Sequence, residues 1–459
     1  EAGKACGGKA VIDDGLLDEV TALVEWPVAI TGDFDKRFLE VPAEALISSM
    51  QDHQKFFPVR ASDGKLMPQF ITVANIASKN PSQVQSGNER VIRPRLEDAV
   101  FFWEQDRKQT LADRAPQLHK MTFQKQLGTL GDKQQRIMSL ATYIAETLGF
   151  DVTHAQRAAE LCKCDLLTSM VYEFPELQGI MGRYYALHDG EDTAVAIALD
   201  EQYQPRFAGD TLPASATGQV LALAERIDTL VGIFAIGQAP TGDKDPFALR
   251  RAALGVLRII IEQQLELDLR ELMTKAASGF DESIDAGTAV DNLFDFIMGR
   301  LRNWYTEQGD YDVHVFEAVL ARQPARPLDF DQRMHAVRAF NAMPEAEHLS
   351  AANKRIRNIL RKSETRIPAS LDTGLLQEPA EQALAGAITE QEKIVRPLLK
   401  SRDYADALRS LASLQAPVDR FFDDVMVMAD DPALRDNRLA LLQGLSNLFL
   451  QVADISQLQ

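Results

Sequence analysis

Apolar residues recur at helical spacing over most of this chain, and strand-like runs are confined to its opening part. Leu16 to Val24 is apolar at helical spacing and predicts a helix. Phe56 to Arg60 and Phe70 to Ile76 read as strands on either side of Asp63-Gly64, a hairpin turn signal. Pro58 and Pro68 make it an edge or an irregular hairpin, because proline lacks a ladder donor. From about 121 to 265 the pattern is helical, broken at Gly209-Asp210 and over 237–246. Further helices follow over 266–345, punctuated by Pro324 and Pro327. A third helical unit fills 346–459. There Asn353 to Arg361 and Asp406 to Leu414 have clear periodicity, and Pro417 to Met428 puts Val418, Phe421, Phe422, Val425 and Met426 on one stripe. The pattern predicts a mainly α, multidomain chain with a small α+β N-terminal segment, divided into 1–120, 121–265, 266–345 and 346–459.

The loop at Thr241 to Asp245 runs straight into a helix. Asp245 suits the N-cap and Pro246 the first helical position, where a missing N–H costs nothing. Phe247, Leu249, Leu254 and Leu257 are expected to face inward, which leaves Arg250, Arg251 and Arg258 as a basic edge. Cations are disfavoured at a helix start, so Arg250 and Arg251 call for an acidic partner, either a local carboxylate or an external phosphate.

The 459 residues carry a net charge of −18, which argues against indiscriminate binding to nucleic acid but leaves room for a local site. Lys354, Arg355, Arg357, Arg361 and Lys362 are such a place, because no acid interrupts them from Asn353 to Lys362. They form either a restricted RNA contact or a solvated helix face. Arg90, Arg93 and Arg95 precede Phe101, Phe102 and Trp103; arginines beside aromatics can hold phosphates and stack bases, although three neighbouring large rings more often pack into a core. No run of 18 apolar residues suggests a membrane span, and three cysteines suit a reducing cytosol.

Cys162-x-Cys164-Asp165 invites a metal reading. Zinc sites space paired cysteines by two to four residues, no second pair exists, and positions two apart on a helix diverge by about 200°. His154 and His188 would join only by coincidence of folding, so no metal site is expected.

Long segments carry a family resemblance. TGDKDPFALRRAALGVLRI from Thr241, HQKFFPV from His53, GNERVIRPRLEDAVFFW from Gly87, KCDLLTSMVYEFPELQGIMGRYYA from Lys163, EQYQPRFAGD from Glu201, ANKRIRNIL from Ala352 and FFDDVMVMADD from Phe421 resemble the β subunit of the bacterial two-subunit glycyl-tRNA synthetase. That family's β chain is longer, and this chain reads as its C-terminal portion. The resemblance implies an α2β2 assembly in the cytoplasm, with tRNA(Gly) as substrate and no role for DNA or a membrane. It also implies that ATP, glycine and Mg²⁺ act through the α subunit.

Residues 121–265 resemble a helical HD-type phosphohydrolase domain. In that family a His, an adjacent His-Asp pair and a distant Asp bind metal and hydrolyse phosphoesters. Asp165 falls at the Asp of the pair and Asp228 at the distant Asp, but Cys164 replaces the paired His, and no His occurs between 120 and 153. Two carboxylates alone make a poor transition-metal site, so the domain is expected to be degenerate, with Asp165 and Asp228 capping helices or pairing with cations. A working metal-dependent phosphohydrolase is the alternative.

No amino-acid activation site is legible. Class I synthetase signatures are missing, the helical pattern leaves no room for a class II sheet, and Gly237 and Gly242 have the P-loop gap but are followed by Asp243. The C-terminal unit is similar to the anticodon-binding helical bundle of arginyl-type synthetases, with Asp406-Ala407-Leu408-Arg409 as a weak letter match and the 352–359 and 421–427 segments as the stronger one. On that helix Ile356, Ile359 and Leu360 are expected to bury one face. Lys354, Arg355, Arg357 and Arg361 would reach phosphates, and Asn353 and Asn358 would read base edges. Arg93, Arg95, Arg250 and Arg251 complete the expected tRNA-binding set. The expected role is positional: to bind the anticodon and body of tRNA(Gly) and present its acceptor end to the α subunit, with no catalytic residue in this chain.

Overall fold

The computed structural model describes residues 1–307, 311–363 and 367–458. The fold is mainly α-helical, and the strands of the described residues lie near the N-terminal end. The chain divides into two compact units. One holds Glu1–Gly232 with Gly279–Glu282, and the other holds Ile233–Ser278 and the chain from Ser283 onward.

The first unit opens with β1 (Lys9–Ala10), α1 (Asp14–Leu23), β2 (Val28–Asp33), α2 (Ala43–Gln54), β3 (Phe57–Arg60) and β4 (Leu66–Ala74). The strands form one antiparallel sheet in the order β1-β3-β4-β2. Asp13 caps α1 by accepting from the Leu16 N–H. Leu16 and Val20 then pack on Phe57, Val59 and Ile71 of the sheet. The hairpin forms where the Asp63-Gly64 signal predicts it, but its strands are central, not at an edge. Two features accommodate the prolines there. The β3–β4 register shifts between Pro58 and Arg60. Both proline carbonyls still accept, Pro58 from Val11 at 2.7 Å and Pro68 from Phe34 at 3.0 Å.

Helix α3 (Pro81–Asp106) buries Ile92, Leu96, Ala99, Trp103 and Asp106, an alternating spacing of four and three. That stripe divides the aromatic trio expected in the core. Trp103 stacks on Tyr185 at 5.3 Å between ring centroids, whereas Phe101 is 56% exposed. Two residues along a helix turn the side chain by about 200°, so Phe101 and Trp103 cannot share a face.

Beyond it lie α4 (Leu130–Leu148), α5 (Val152–Leu161), α6 (Ile180–Asp189), α7 (Thr193–Glu201) and α8 (Ala216–Ala235). A capping box between Thr129 and Asp132 starts α4, Gly149 ends it in the left-handed region, and Asp151 caps α5. The break at Gly209-Asp210 falls between α7 and α8, and the Asp210 carboxylate accepts from the Arg206 N–H.

The second unit is built from α9 (Leu249–Glu262), α10 (Val290–Glu307), α11 (Pro327–Asn341), α12 (Pro344–Lys362), α13 (Pro379–Lys400), α14 (Tyr404–Leu411), α15 (Gln415–Asp424), α16 (Pro432–Leu450) and shorter segments. Proline opens α11, α12, α13 and α16, as its fixed φ and missing donor favour. Helix α12 buries Leu349, Ala352 and Ile356 and packs against α15 and α16. Ile359 and Leu360, expected on the same face, are half-buried.

Two local expectations are corrected. Helix α9 begins at Leu249, not at Pro246. Ala248 takes φ +52°, a left-handed conformation costing about 1 kcal/mol, and this turn lets Asp245 reach forward. Its carboxylate accepts from the N–H of Leu249 at 2.8 Å and of Arg250 at 2.9 Å, so Asp245 caps the helix from four residues upstream. Leu249 and Leu257 are buried, and Phe247 and Leu254 half-buried. The other correction concerns the stripe over 417–428. Helix α15 stops at Asp424, and Val425 is extended at φ −118°, ψ 122°. From there the period is two: Val425 and Val427 are buried, while Met426 is 75% exposed.

Candidate nucleic-acid interface

The exposed side of α12 presents Ala351, Lys354, Arg355, Asn358, Ile359 and Lys362, spaced by three and four along one face, around an open groove of about 430 Å³. No carboxylate lines it. Phe422 of α15 lies under Arg355, with the guanidinium carbon 4.3 Å from the ring centroid. Arg361 Nη2 donates to Asn358 Oδ1 at 3.3 Å.

Two residues expected at this surface have other tasks. Asn353 is 4% exposed, and its amide donates to the Leu349 carbonyl at 3.0 Å, so it is removed from base reading. Its position explains this: 349, 353 and 356 are spaced by four and three on the packed face. Arg357 is on the solvent side, but its Nη1 lies 2.6 Å from Asp454 Oδ2 and 3.2 Å from Ser456 Oγ, which docks α12 on the C-terminal segment. The groove therefore keeps Lys354, Arg355 and Asn358 of the expected set and adds Lys362 and, beneath it, Phe422, while Arg361 stands beside it and holds Asn358. The signal for Lys362 was its place in the unbroken basic run; Phe422 gives none in sequence, because its contact is made across two helices.

The remaining expected cations sit elsewhere. Arg250 is half-buried and donates to the Gly242 carbonyl across its own loop, while Arg251 is exposed. Asp245 accepts from the backbone N–H groups of this helix start and not from the arginine side chains, so the acidic partner expected for Arg250 and Arg251 is not found among the described residues. Arg93 and Arg95 are both exposed on α3 but diverge by about 200°. Arg93 borders a surface cavity of about 540 Å³ with Phe34, Phe38 and Arg90, and Arg95 does not.

The helical centre expected to be degenerate is filled by ion pairs. Lys133 Nζ, from α4, lies 3.0 Å from Asp228 Oδ2 and donates to Thr229 Oγ1 at 2.6 Å. Arg136, one turn on, places Nε 2.7 Å from Asp228 Oδ1. Both Asp228 oxygens thus already accept from cations. Glu225, one turn earlier on α8, sits 3.4 Å from both Lys133 and Lys163. Burial alone would raise its carboxyl, but Lys163, Lys133 and Arg226 hold it well below the usual range. Each cation has an aromatic cover: Phe123 for Lys133, Phe280 for Arg136 and Tyr203 for Lys163.

Asp165 is apart from these pairs in role. Its Oδ2 accepts from the Gly179 N–H at 2.6 Å, and burial raises its carboxyl. Gly179 has φ +82°, and a Cβ there would lie 2.5 Å from the Tyr203 ring, so this turn requires glycine. Cys164 is buried against the Glu160 carbonyl, and burial pushes its thiol up. These surroundings give the phosphohydrolase alternative no support: the carboxylates are committed to protein donors. Lys133 and Arg136 were missed in sequence, although two cations one turn apart on the helix that lacks the first His were the available sign.

Comparison with known proteins adds the family context. The family model described as glycyl-tRNA synthetase beta subunit matches residues 1–321, and the one described as DALR anticodon binding domain matches 349–455. The glycine–tRNA ligase beta subunit of Chromohalobacter salexigens is 57% identical over 450 residues, covering 98% of this chain and 65% of that protein. The beta subunit of Citrobacter koseri is 54% identical over 459 residues, covering 100% of this chain and 66% of that protein. That of Marinobacter nauticus is 57% identical over 458 residues, with the same two shares. The chain therefore spans just under two thirds of the length of these relatives.

Proposed function

The chain belongs to the family of glycyl-tRNA synthetase β subunits, and on that premise we propose that it is the tRNA-recognition part of a glycine–tRNA ligase. The observation that carries this reading is the α12 groove: Lys354, Arg355, Asn358 and Lys362 face solvent with no carboxylate among them, within the segment that matches an anticodon-binding domain. Phosphates meet the lysines and arginines, and base edges meet the amide.

The contribution to the reaction is positional. The anticodon arm and body of tRNA(Gly) are held here, and the acceptor end is presented to a catalytic α subunit in an α2β2 assembly of the cytoplasm. Glycine, ATP and Mg²⁺ contact that partner. Holding the correct tRNA turns a bimolecular encounter into a positioned one and favours the cognate species.

The test is a titration of labelled tRNA(Gly) and a non-cognate tRNA with this chain, with and without the α subunit, at two salt concentrations. The reading expects tighter binding of tRNA(Gly). It also expects the salt slope to fall by roughly 0.7 for each phosphate that a Lys354→Ala, Lys362→Ala variant no longer neutralises. Equal affinity for both tRNAs with an unchanged slope in that variant would overturn it.

A further inference from the structure

We propose that Asn358 is the base-reading residue of the α12 groove, donating its amide N–H to an acceptor on a splayed-out nucleobase that stacks on Arg355. This rests on the groove being an RNA contact and goes further, by assigning recognition to one side chain with one hydrogen-bonding sense.

Of the two asparagines, Asn353 is buried with its amide tied to the Leu349 carbonyl, and Asn358 is exposed along the groove. The amide of Asn358 has one orientation. A guanidinium donates only, so Arg361 Nη2 must face the amide oxygen, and it does, at 3.3 Å. That turns Oδ1 toward the following turn of α12 and leaves the Nδ2 hydrogens for a ligand. A base that offers an acceptor, such as N7 or O6 of guanine or O2 or N3 of cytosine, satisfies them; an exocyclic amine in that place does not.

The stacking surface lies three residues away. Arg355 and Asn358 are neighbours on one helix face. The Phe422 ring backs the Arg355 guanidinium, its centroid 4.3 Å from the guanidinium carbon, and the exposed planar guanidinium is the platform. Phe422 is itself fixed by an edge contact with the fully buried Phe421, with ring centroids 5.6 Å apart. Ala351 and Ile359 supply an apolar floor, and Lys354 and Lys362 stand toward the two ends for flanking phosphates. Single-stranded loop RNA is the occupant this favours, because the groove combines positive charge, a stacking plane and one polar reader, and no acid to attract a basic protein.

The test uses this chain and stem-loop RNAs carrying the anticodon of a glycine tRNA, each loop base substituted in turn, with affinity read by fluorescence anisotropy. Native protein should lose roughly threefold to tenfold in affinity at one position when its acceptor edge is replaced, the size of one hydrogen bond. Asn358→Ala should erase that preference at that position alone, and Asn358→Asp, of the same shape but accepting only, should reverse it. Lys354→Ala with Lys362→Ala should weaken all the RNAs alike and keep the preference. Asn358 variants that retain the native preference, while the lysine variant weakens binding, would overturn the assignment and leave the interface standing. A lysine variant that binds like native protein would overturn the interface itself.

Discussion

Arg357 reaches across from α12 to Asp454, Nη1 to Oδ2 at 2.6 Å, and so a residue of the basic run is a tie between helix and C-terminal segment. Asp454 also receives Ser456 N–H and Oγ–H, which makes a small closed cluster at the end of the second unit. Arg357→Ala should therefore cost about 1–2 kcal/mol of stability, with a lowered melting temperature. Lys362→Ala, exposed on the groove side of α12, should leave the melting temperature nearly unchanged and weaken RNA binding. Thermal melts and RNA titrations of both variants check this; equal melting temperatures would remove the docking role of Arg357.

Lys133 and Asp228 are each 2% exposed at the side chain and 3.0 Å apart. Lys133→Ala takes from Asp228 one of its two buried cations and leaves Arg136 as the other, so it should destabilise the first unit by about 3 kcal/mol. In an Asp228→Leu background, where that pair is already gone, Lys133→Met should cost less than it does in native protein. Urea unfolding followed by circular dichroism measures both; an equal cost of the lysine change in the two backgrounds would contradict the pairing.

Glu225 gives a pH dependence with a definite sign. Its folded pKa lies below its unfolded value because three cations outweigh burial. The stability it contributes is fully present above the unfolded pKa of about 4.3, and is lost as pH falls from there toward the folded value. Glu225→Gln should be less stable at neutral pH and should lose less on acidification below about pH 4.3. Melting temperatures of variant and native protein should therefore converge between pH 7 and pH 3, and parallel curves would count against the network.

The cysteines should label unequally. Burial pushes the Cys162 thiol up to about 12 and raises Cys164, whereas Cys6 is half-buried near the N-terminal end. Because the thiolate is the reactive form, one equivalent of a thiol reagent should react with native protein near pH 8 and three after unfolding in guanidinium. Rapid native labelling of all three would contradict the burial of the 162–164 segment.

Asp245 caps α9 through two N–H groups, so Asp245→Ala should cost about 1 kcal/mol. It should also free the 241–248 loop, read as faster amide hydrogen exchange at Leu249 and Arg250. Unchanged exchange there would rule out the cap.

What the residues disclosed in advance depended on how local the physics was. The helices of the second unit were legible from their apolar spacing, and the starts at Pro327, Pro344, Pro379 and Pro432 obey an equally local rule. The Asp63-Gly64 hairpin was readable for the same reason, a turn being decided by its own residues. The central placement of its strands was not, because β1 and β2 come from distant segments and their pairing overrides what Pro58 suggests. Within the basic run, charge was legible but destination was not. Asn353 and Asn358 look equivalent in sequence, and only the packing of α12 on α15 and α16 decides which one faces water. Lys133, Arg136 and Lys163 were invisible as a group because they converge on α8 from one helix, α4, and from a turn further along the chain.

The ammonium that Lys133 holds against Asp228 has a consequence for how the first unit responds to its surroundings. A diffusible cation at that carboxylate would stabilise the fold by an amount that rises and falls with its free concentration. A cation attached through four methylenes is always present at the same effective concentration. Its share of the stability is set when the chain is made, and neither a chelator nor a change in divalent-ion supply can withdraw it.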